Sequence, residues 1–236
     1  VSAPTYTVAL TAHNLTRVLT TAALFASTDR TIPPINRVEV SVSDGYVIAA
    51  ATDRFRMGVC RVKHEADTDT ALPPQGWAAA IDLDDLRRLC TIIRPRTRGE
   101  RSAEVSFTVG GDSLDELTFT AGTITMTATG HREKFPDWRK IMRTCRDNAV
   151  APAPSVPVNP GYLASFGKAS WESDDRLEIF ASRRNRPTTI TIGEHFFGVL
   201  MPFVVDDDGV GEESRSSWDR LFAGGKAPAS DLPAAS

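Results

Sequence analysis

The chain has 236 residues, 41% of them hydrophobic and 24% charged. That balance excludes a wholly disordered chain, a collagen, a mucin or a coiled coil, and at roughly 150 residues per domain the length corresponds to about one and a half domains. Its 27 basic residues stand against 30 acidic ones, a net charge of −3, so no global basic field draws it to nucleic acid and any DNA contact must come from a local patch.

Tyr6 to Leu10 alternates apolar and polar like a strand, and Leu15, Val18, Leu19, Ala22, Ala23 and Phe25 then recur at helical spacing. Asn14 or Thr11 can cap that helix, which must stop before Ile32-Pro33-Pro34. Val38, Val40 and Val42 flip the pattern to period two, Asp44-Gly45 makes a hairpin turn, and Val47 to Ala51 and Met57 to Val62 supply two more strands. The order is βαβββ. After the linker-like Leu72-Pro73-Pro74-Gln75-Gly76, Trp77 opens a second pass. Ala78 to Ile81 suits a short strand, Asp82 and Asp84 sit where an N-cap and an acidic first turn belong, and Leu83, Leu86, Leu89, Cys90 and Ile93 form an apolar helical stripe ended by Pro95. Val105 to Val109, Leu117 to Thr120 and Ile124 to Ala128 complete βαβββ again.

A Pro- and Ala-rich linker from Ala149 to Pro154 leads into a third pass. Val156-Pro157-Val158 reads as a strand, and Asn159-Pro160 places a cap and a first-turn proline ahead of Tyr162, Leu163, Phe166 and Ala169. Leu177 to Ala181, Thr188 to Ile192 and Phe196 to Val205 read as three strands, and from Asp206 the composition is that of a disordered tail. Cys60, Cys90 and Cys145 are an odd, scattered set that suits reduced thiols, neither a disulfide framework nor a zinc site. With neither a long apolar run nor a signal-like N-terminus, a soluble, cytoplasmic protein without membrane contact is expected. No nucleophile, phosphate-loop or zinc-protease motif occurs. His13, His64, His131 and His195 are scattered, with no carboxylate at suggestive spacing; Asp53 reads as a turn residue, and Asp82, Asp84 and Asp85 as capping residues.

Val47-Ile48-Ala49-Ala50-Ala51-Thr52-Asp53-Arg54-Phe55-Arg56-Met57-Gly58-Val59 resembles the middle-domain signature of the bacterial sliding clamp, the β subunit of DNA polymerase III. Ile32 to Val40, Lys134-Phe135-Pro136-Asp137-Trp138-Arg139-Lys140-Ile141, Val158 to Leu163 and Val199-Leu200-Met201-Pro202-Phe203-Val204 are similar to further stretches of that family in the same order, so the resemblance spans residues 5 to 205. It implies an α+β DNA-clamp fold of three βαβββ half-domain repeats. Residues 5–147 correspond to the middle domain, with halves 5–63 and 77–147; residues 155–205 correspond to the second half of the last domain; residues 206–236 remain a disordered tail. The family's chain has six such halves and closes a ring as a dimer, so the first domain and the first half of the last domain have no counterpart here, and homo-oligomers of about four chains are expected from ring symmetry.

The resemblance further implies a processivity factor, not an enzyme, needing no cofactor and no metal. A pocket for the short peptides of polymerases, repair proteins and the clamp loader maps onto Ile35, Thr52, Arg54, Phe55, Arg56, Met57, Pro136, Lys140, Ile141, Val199, Met201, Pro202 and Phe203. Ile35, Met57, Ile141, Met201 and Phe203 suit a socket for leucine and phenylalanine anchors, with Thr52, Arg56 and Lys140 as polar contacts at its rim. Taken singly, such apolar residues suit an ordinary core equally well. Arg54 and Phe55 stand where the family varies, and Val204 replaces a frequent arginine, so the preferred peptide differs. Arg17, Arg87, Arg88, Arg94, Arg96, Arg98, Arg101 and Lys168 fall on or beside the helices that face the hole and suit non-specific contact with duplex DNA, although a solvated helix face accounts for Arg17 and Lys168 equally well. Trp218-Asp219-Arg220-Leu221-Phe222 is an apolar island in the tail whose Leu-Phe ending resembles a clamp-binding peptide, with an inert patch as the plainer account. A reduced clamp of phage or plasmid origin is the leading reading. The alternative is a non-ring adaptor or decoy that binds clamp-interacting peptides without encircling DNA.

Overall fold

Most period-two stretches become strands, and the 3.6-period stripes become helices laid on the resulting sheets, in a computed structural model that describes residues 6–64, 73, 77–110, 115–131, 135–147, 156–181 and 185–204. The first repeat is β1 (Tyr6–Thr11), α1 (Ala12–Ala23), β2 (Arg37–Ser43), β3 (Tyr46–Thr52) and β4 (Arg56–Lys63). The second is β5 (Ala78–Asp82), α2 (Leu83–Ile93), β6 (Glu104–Gly110), β7 (Glu116–Ala121) and β8 (Ile124–Thr129). A helix α3 (Trp138–Asp147) follows, and then α4 (Pro160–Phe166), β9 (Leu177–Phe180), β10 (Thr188–Ile192) and β11 (Phe196–Leu200). Val1–Pro202 form one unit; of the second unit, Phe203–Ser236, only Phe203 and Val204 are described, both exposed. The Trp218–Phe222 segment and the expected disordered tail lie outside the described residues.

The local signals act as their chemistry dictates. Thr11 takes the N-cap of α1, its hydroxyl accepting from the Asn14 amide, and Asn159 caps α4 by accepting from the amides of Gly161 and Tyr162, with Pro160 in the first turn. Asp44 (φ 52°) and Gly45 (φ 78°) turn the β2–β3 hairpin in the left-handed region. Asp82 occupies the N-cap position of α2 but makes no capping bond. Its carboxylate instead accepts from Arg37 Nε at 2.8 Å and lies 3.2 Å from His131 Nε2, which corrects the capping role and gives His131 a carboxylate neighbour that sequence spacing did not reveal.

The repeats exchange their opening strands. β1 pairs with β6 of the second repeat and β5 with β2 of the first, so the four-stranded sheet runs β1-β6-β7-β8. The third repeat joins through β11, which pairs antiparallel with β4 and extends the other sheet to β5-β2-β3-β4-β11-β10-β9. A core of buried residues from all three repeats, including Leu15, Val18 and Leu19 of α1, Leu86 and Leu89 of α2 and Phe166 of α4, covers one face of these sheets. On the alternate residues of the long sheet, Ala50, Met57, Val59 and Val199 form a second cluster with Met142 and Cys145 of α3.

Three elements depart from the sequence reading. The last strand, expected over Phe196 to Val205, ends at Leu200, where the Met201 amide turns to the Phe55 carbonyl. Val156–Val158 is not a strand, because the opening strands here pair only with another repeat's sheet and, among the described residues, none pairs with it. α3 was not expected; Asp137 Oδ1 accepts from the Lys140 amide at 3.0 Å, the bond an N-cap makes, and Trp138, Met142 and Cys145 follow at helical spacing. Among the described residues no helix is long and apolar enough to cross a membrane, and no group of His, Cys, Asp and Glu could hold a metal ion.

Candidate functional site

The turn between β3 and β4 is organised by two short side chains. Asp53 Oδ1 accepts from the amides of Phe55 (3.1 Å) and Arg56 (3.0 Å), while its Oδ2 pairs with Arg56 Nε at 2.9 Å. The Thr52 hydroxyl donates to the Arg56 carbonyl at 2.9 Å and accepts from the Arg54 amide. These bonds hold Arg54 at φ 79°, a region that a non-glycine residue enters only when its surroundings force it. The Phe55 carbonyl accepts from the Met201 amide at 2.8 Å, tying the turn to the segment after β11. Asp53 is therefore a turn residue, as its position suggested.

Around this turn lies a cavity of about 340 Å³ lined by Ile35, Thr52, Arg54, Phe55, Arg56, Met57, Pro136, Ile141, Val199 and Met201. Ten of the thirteen residues singled out for the pocket thus meet from four separate stretches of chain. Lys140, exposed on α3, and Pro202 do not line it, and Phe203 falls in the second unit. Ile35, Met57 and Val199 are buried, whereas Phe55, Ile141 and Met201 are 55%, 37% and 42% exposed, a large share for apolar side chains gathered at one mouth.

The polar rim differs from the expected one. Thr52 is buried with its hydroxyl committed inside the turn, and Arg56 is held by Asp53 with its guanidinium 5.4 Å from the ring centres of both Phe25 and Tyr162. Arg54 is the exposed cationic residue of the lining. Tyr162, which also stacks on Phe55 at 5.8 Å, was missed because its sequence signal is that of a helix-stripe residue. An apolar cavity with a mobile methionine and few polar groups accepts hydrophobic side chains of a partner and offers no general acid, base or nucleophile.

The basic residues gather elsewhere. A groove of about 740 Å³ between α1 and α2 is lined by Arg17, Arg87, Arg94 and Arg101, with His13, Thr16, Thr20 and Cys90 among its other residues. Arg88, Arg96, Arg98 and Lys168 are exposed but outside this lining. Arg17 is not a free cation: it donates to the Trp171 carbonyl and to Glu172, and its guanidinium sits 4.8 Å from the Trp171 ring centre. Arg87 and Arg88 pair loosely with Asp84 and Asp85 one turn earlier, at 3.7 and 3.4 Å, exposed contacts of little energetic weight. Among the described residues, Arg94, Arg96, Arg98, Arg101 and Lys168 have no ion-pair partner.

Sequence reasoning gave His13 no role. In the groove its pKa is lowered, first by burial and then by Arg17 and Arg101, with Glu172 opposing. The Thr16 hydroxyl is buried there without a hydrogen-bond partner. His195 has an acidic neighbour as well, Asp175 at 3.9 Å, while its Nε2 lies 3.1 Å from the Ala169 carbonyl and its ring stacks on Trp171. All three contacts belong to the packing of the third repeat.

No protein-family model matches the chain, and no curated protein matches it in sequence. Among solved structures it is similar to the DNA polymerase III β subunit of Thermotoga maritima, with a TM-score of 0.64 at 11% identity over 85% of this chain and 66% of that one. It is similar as well to the Pseudomonas aeruginosa sliding clamp bound to griselimycin, with a TM-score of 0.63 at 13% identity over 87% and 66%. The Bartonella birtlesii clamp, also bound to griselimycin, gives 0.62 at 15% over 85% and 66%. The chain spans about two thirds of the length of these structures. Its three repeats, the first two with exchanged opening strands, have the α+β DNA-clamp fold of the polymerase III β subunit.

Proposed function

From this sliding-clamp fold we propose that the chain is a clamp-like processivity factor, tethering a DNA polymerase or repair protein to duplex DNA. Residues 5–147 serve as one clamp domain and residues 155–205 as half of a second. The observation that carries the reading is the convergence of ten residues from separate stretches on one apolar cavity, where the turn after β3 meets the segment after β11. Phe55, Ile141 and Met201 at its mouth suit the leucine and phenylalanine anchors of a short linear peptide. Arg87, Arg94 and Arg101, beside α1 and α2, suit phosphates contacted without reading bases, as sliding requires. Tethering demands binding, not chemistry, so the protein is not an enzyme, and its place is the cytoplasm where bacterial or phage DNA is copied.

Fluorescence anisotropy with a labelled peptide carrying Leu and Phe anchors tests the pocket. Saturable binding is expected, weakened about tenfold or more by Met201→Ala combined with Ile141→Ala, since buried anchor contacts are each worth about 1–2 kcal/mol. Griselimycin, which the Pseudomonas and Bartonella clamps bind, supplies a second probe. Absence of binding to both defeats the pocket. Retention on circular but not linearised DNA tests encirclement; peptide binding without such retention selects the adaptor reading.

A further inference from the structure

In both complete repeats the first strand of the βββ run is covered on its outer edge by an opening strand from the other repeat: β2 by β5, β6 by β1. The equivalent strand of the third repeat, β9, has β10 on one side and, among the described residues, no strand on the other, and its Leu177, Ile179 and Phe180 are 40–51% exposed. A bare, apolar edge strand is a template for another strand. The same repeat carries the reciprocal vacancy, because its opening segment Val156–Val158 pairs with no strand among the described residues.

These two vacancies fit one another. In the complete repeats the residues one and three places before the N-cap are buried: Leu10 and Val8 before Thr11, Ile81 and Ala79 before Asp82. They lie opposite buried residues of the partner strand, Val105 and Phe107 in one case and Val38 and Val40 in the other. Before the Asn159 cap the same places are held by Val158 and Val156. On β9 the core-facing residues are Leu177 and Ile179, which pair with buried Ile192 and Ile190. Pairing Val158 with Leu177 and Val156 with Ile179 sets Pro157 opposite Glu178, in the place Ala80 occupies opposite Glu39. Ala80 directs its N–H away from β2, to the His131 carbonyl, so that place asks no ladder hydrogen bond of its amide and tolerates proline on an edge strand.

We propose that two copies of this chain dock through their third repeats by exchanging Val156–Val158 onto each other's β9. The contact is isologous, each copy giving and receiving one strand, as β1 and β5 do inside residues 6–131. It builds a complete clamp domain out of two half-domains and leaves β1 and β8 as the end strands of each copy's four-stranded sheet. The inference rests on the fold and the repeat geometry, not on the peptide pocket or on DNA binding.

Light scattering after size exclusion, on the full chain over the micromolar range, is expected to give a dimer or a multiple of two. Ile179→Lys, which places a charge on the core-facing side of the edge, is expected to return the dimer to monomer with an unchanged far-UV circular dichroism spectrum. Oxidising the Val156→Cys, Ile179→Cys double variant is expected to produce a covalent dimer on a non-reducing gel, since Cα atoms of paired antiparallel residues fall within disulfide reach. This decides the matter even if Ile179→Lys misfolds. A chain that stays monomeric throughout, or a dimer that neither cross-links at these positions nor responds to Ile179→Lys, overturns the proposal; the latter assigns association to another surface such as β8.

Discussion

Gly58 of β4 lies directly opposite Gly198 of β11, and across this glycine pair the first and third repeats become one sheet. A Cβ on Gly58 would run into the ring of Phe25, and a Cβ on Gly198 into the rings of Phe166 and Phe196. The bare backbone lets these three rings settle over the junction, with Phe25 4.9 Å from Phe166 and 5.3 Å from Phe196. Arg56, a lining residue of the apolar cavity, rests on the same Phe25 ring, so the junction also braces the candidate peptide site.

Gly58→Ala and Gly198→Ala are therefore expected to destabilise by about 1–3 kcal/mol each through overpacking. Gly110→Ala is the control, since a Cβ there meets nothing. Denaturant melts check the order; equal stability of all three variants counts against a tightly packed junction.

The groove between α1 and α2 predicts a salt- and pH-dependent affinity for duplex DNA. Arg94→Ala with Arg101→Ala is expected to lower the slope of log affinity against log salt by about 2, roughly 0.9 per lost phosphate contact. His13 is depressed by burial, then by Arg17 and Arg101; phosphate entering the groove offsets that cationic field and favours the protonated ring. Binding should take up a proton, so affinity rises as pH falls from neutrality through the histidine range and the effect vanishes in His13→Gln. Binding that ignores pH and salt would remove the groove as a phosphate site.

Stability should depend on pH with two opposite signs. For Asp175 burial raises the pKa, but the amides of Glu172 and Trp171, the His195 charge and the Ser170 hydroxyl outweigh it and hold the carboxyl below its ordinary value. For Asp82 burial is likewise outweighed by Arg37 and His131. Their contributions are full at neutral pH and lost as pH falls below about 4, where the unfolded chain takes up protons first. Glu39 runs the other way: burial raises its pKa, against the Trp138 indole bond and Arg139, so its contribution declines as pH rises through the carboxylate range. Glu39→Gln keeps an acceptor for Trp138 Nε1, now 2.7 Å from Glu39 Oε1, and is expected to match or exceed the native melting temperature at neutral pH. Glu39→Ala strands that donor and is expected to cost about 1–3 kcal/mol. Thermal melts from pH 3 to 8 measure all three groups; a Glu39→Gln variant as damaged as Glu39→Ala would mean the charge itself is needed.

All three cysteines are free and buried. Burial pushes the Cys90 thiol up to about 12 and raises those of Cys60 and Cys145, leaving little thiolate at neutral pH. A chromogenic disulfide reagent at mildly alkaline pH should find none of them in the native protein and all three in guanidinium; fast native reaction of any one would place it in an opening segment.

The repeats and their ends were legible residue by residue. Thr11, Asn159-Pro160 and Asp44-Gly45 act through bonds and dihedrals a few positions long, so their chemistry is readable without the rest of the chain. α3 was legible in principle, through Asp137 and the spacing of Trp138, Met142 and Cys145, but its polar composition hid the narrow stripe. Asp82 shows the limit of such reading: its position is that of a cap, yet Arg37 and His131, 45 and 49 residues away in sequence, take its carboxylate instead. The cavity residues were legible by resemblance, whereas which of their polar groups remain available to a partner was not, because Thr52 and Arg56 are engaged by neighbours only the folded turn supplies.

The sequence by itself determined two βαβββ units and the αβββ part of a third, the caps at Thr11 and Asn159, the hairpin turn at Asp44-Gly45 and the apolar faces of α1 and α2, because these follow from periodicities of two and 3.6 and from bonds between near neighbours. Only the tertiary structure decided that the first two opening strands leave their own repeat, that β4 and β11 fuse two repeats, and that, among the described residues, the outer edge of β9 and Val156–Val158 have no strand partner. The physical reason is that strand pairing is a contact between distant segments whose backbone groups are alike at every residue. The one and a half domains suggested by length thus became three half-domains, the third of which ends its sheet at β9 among the described residues.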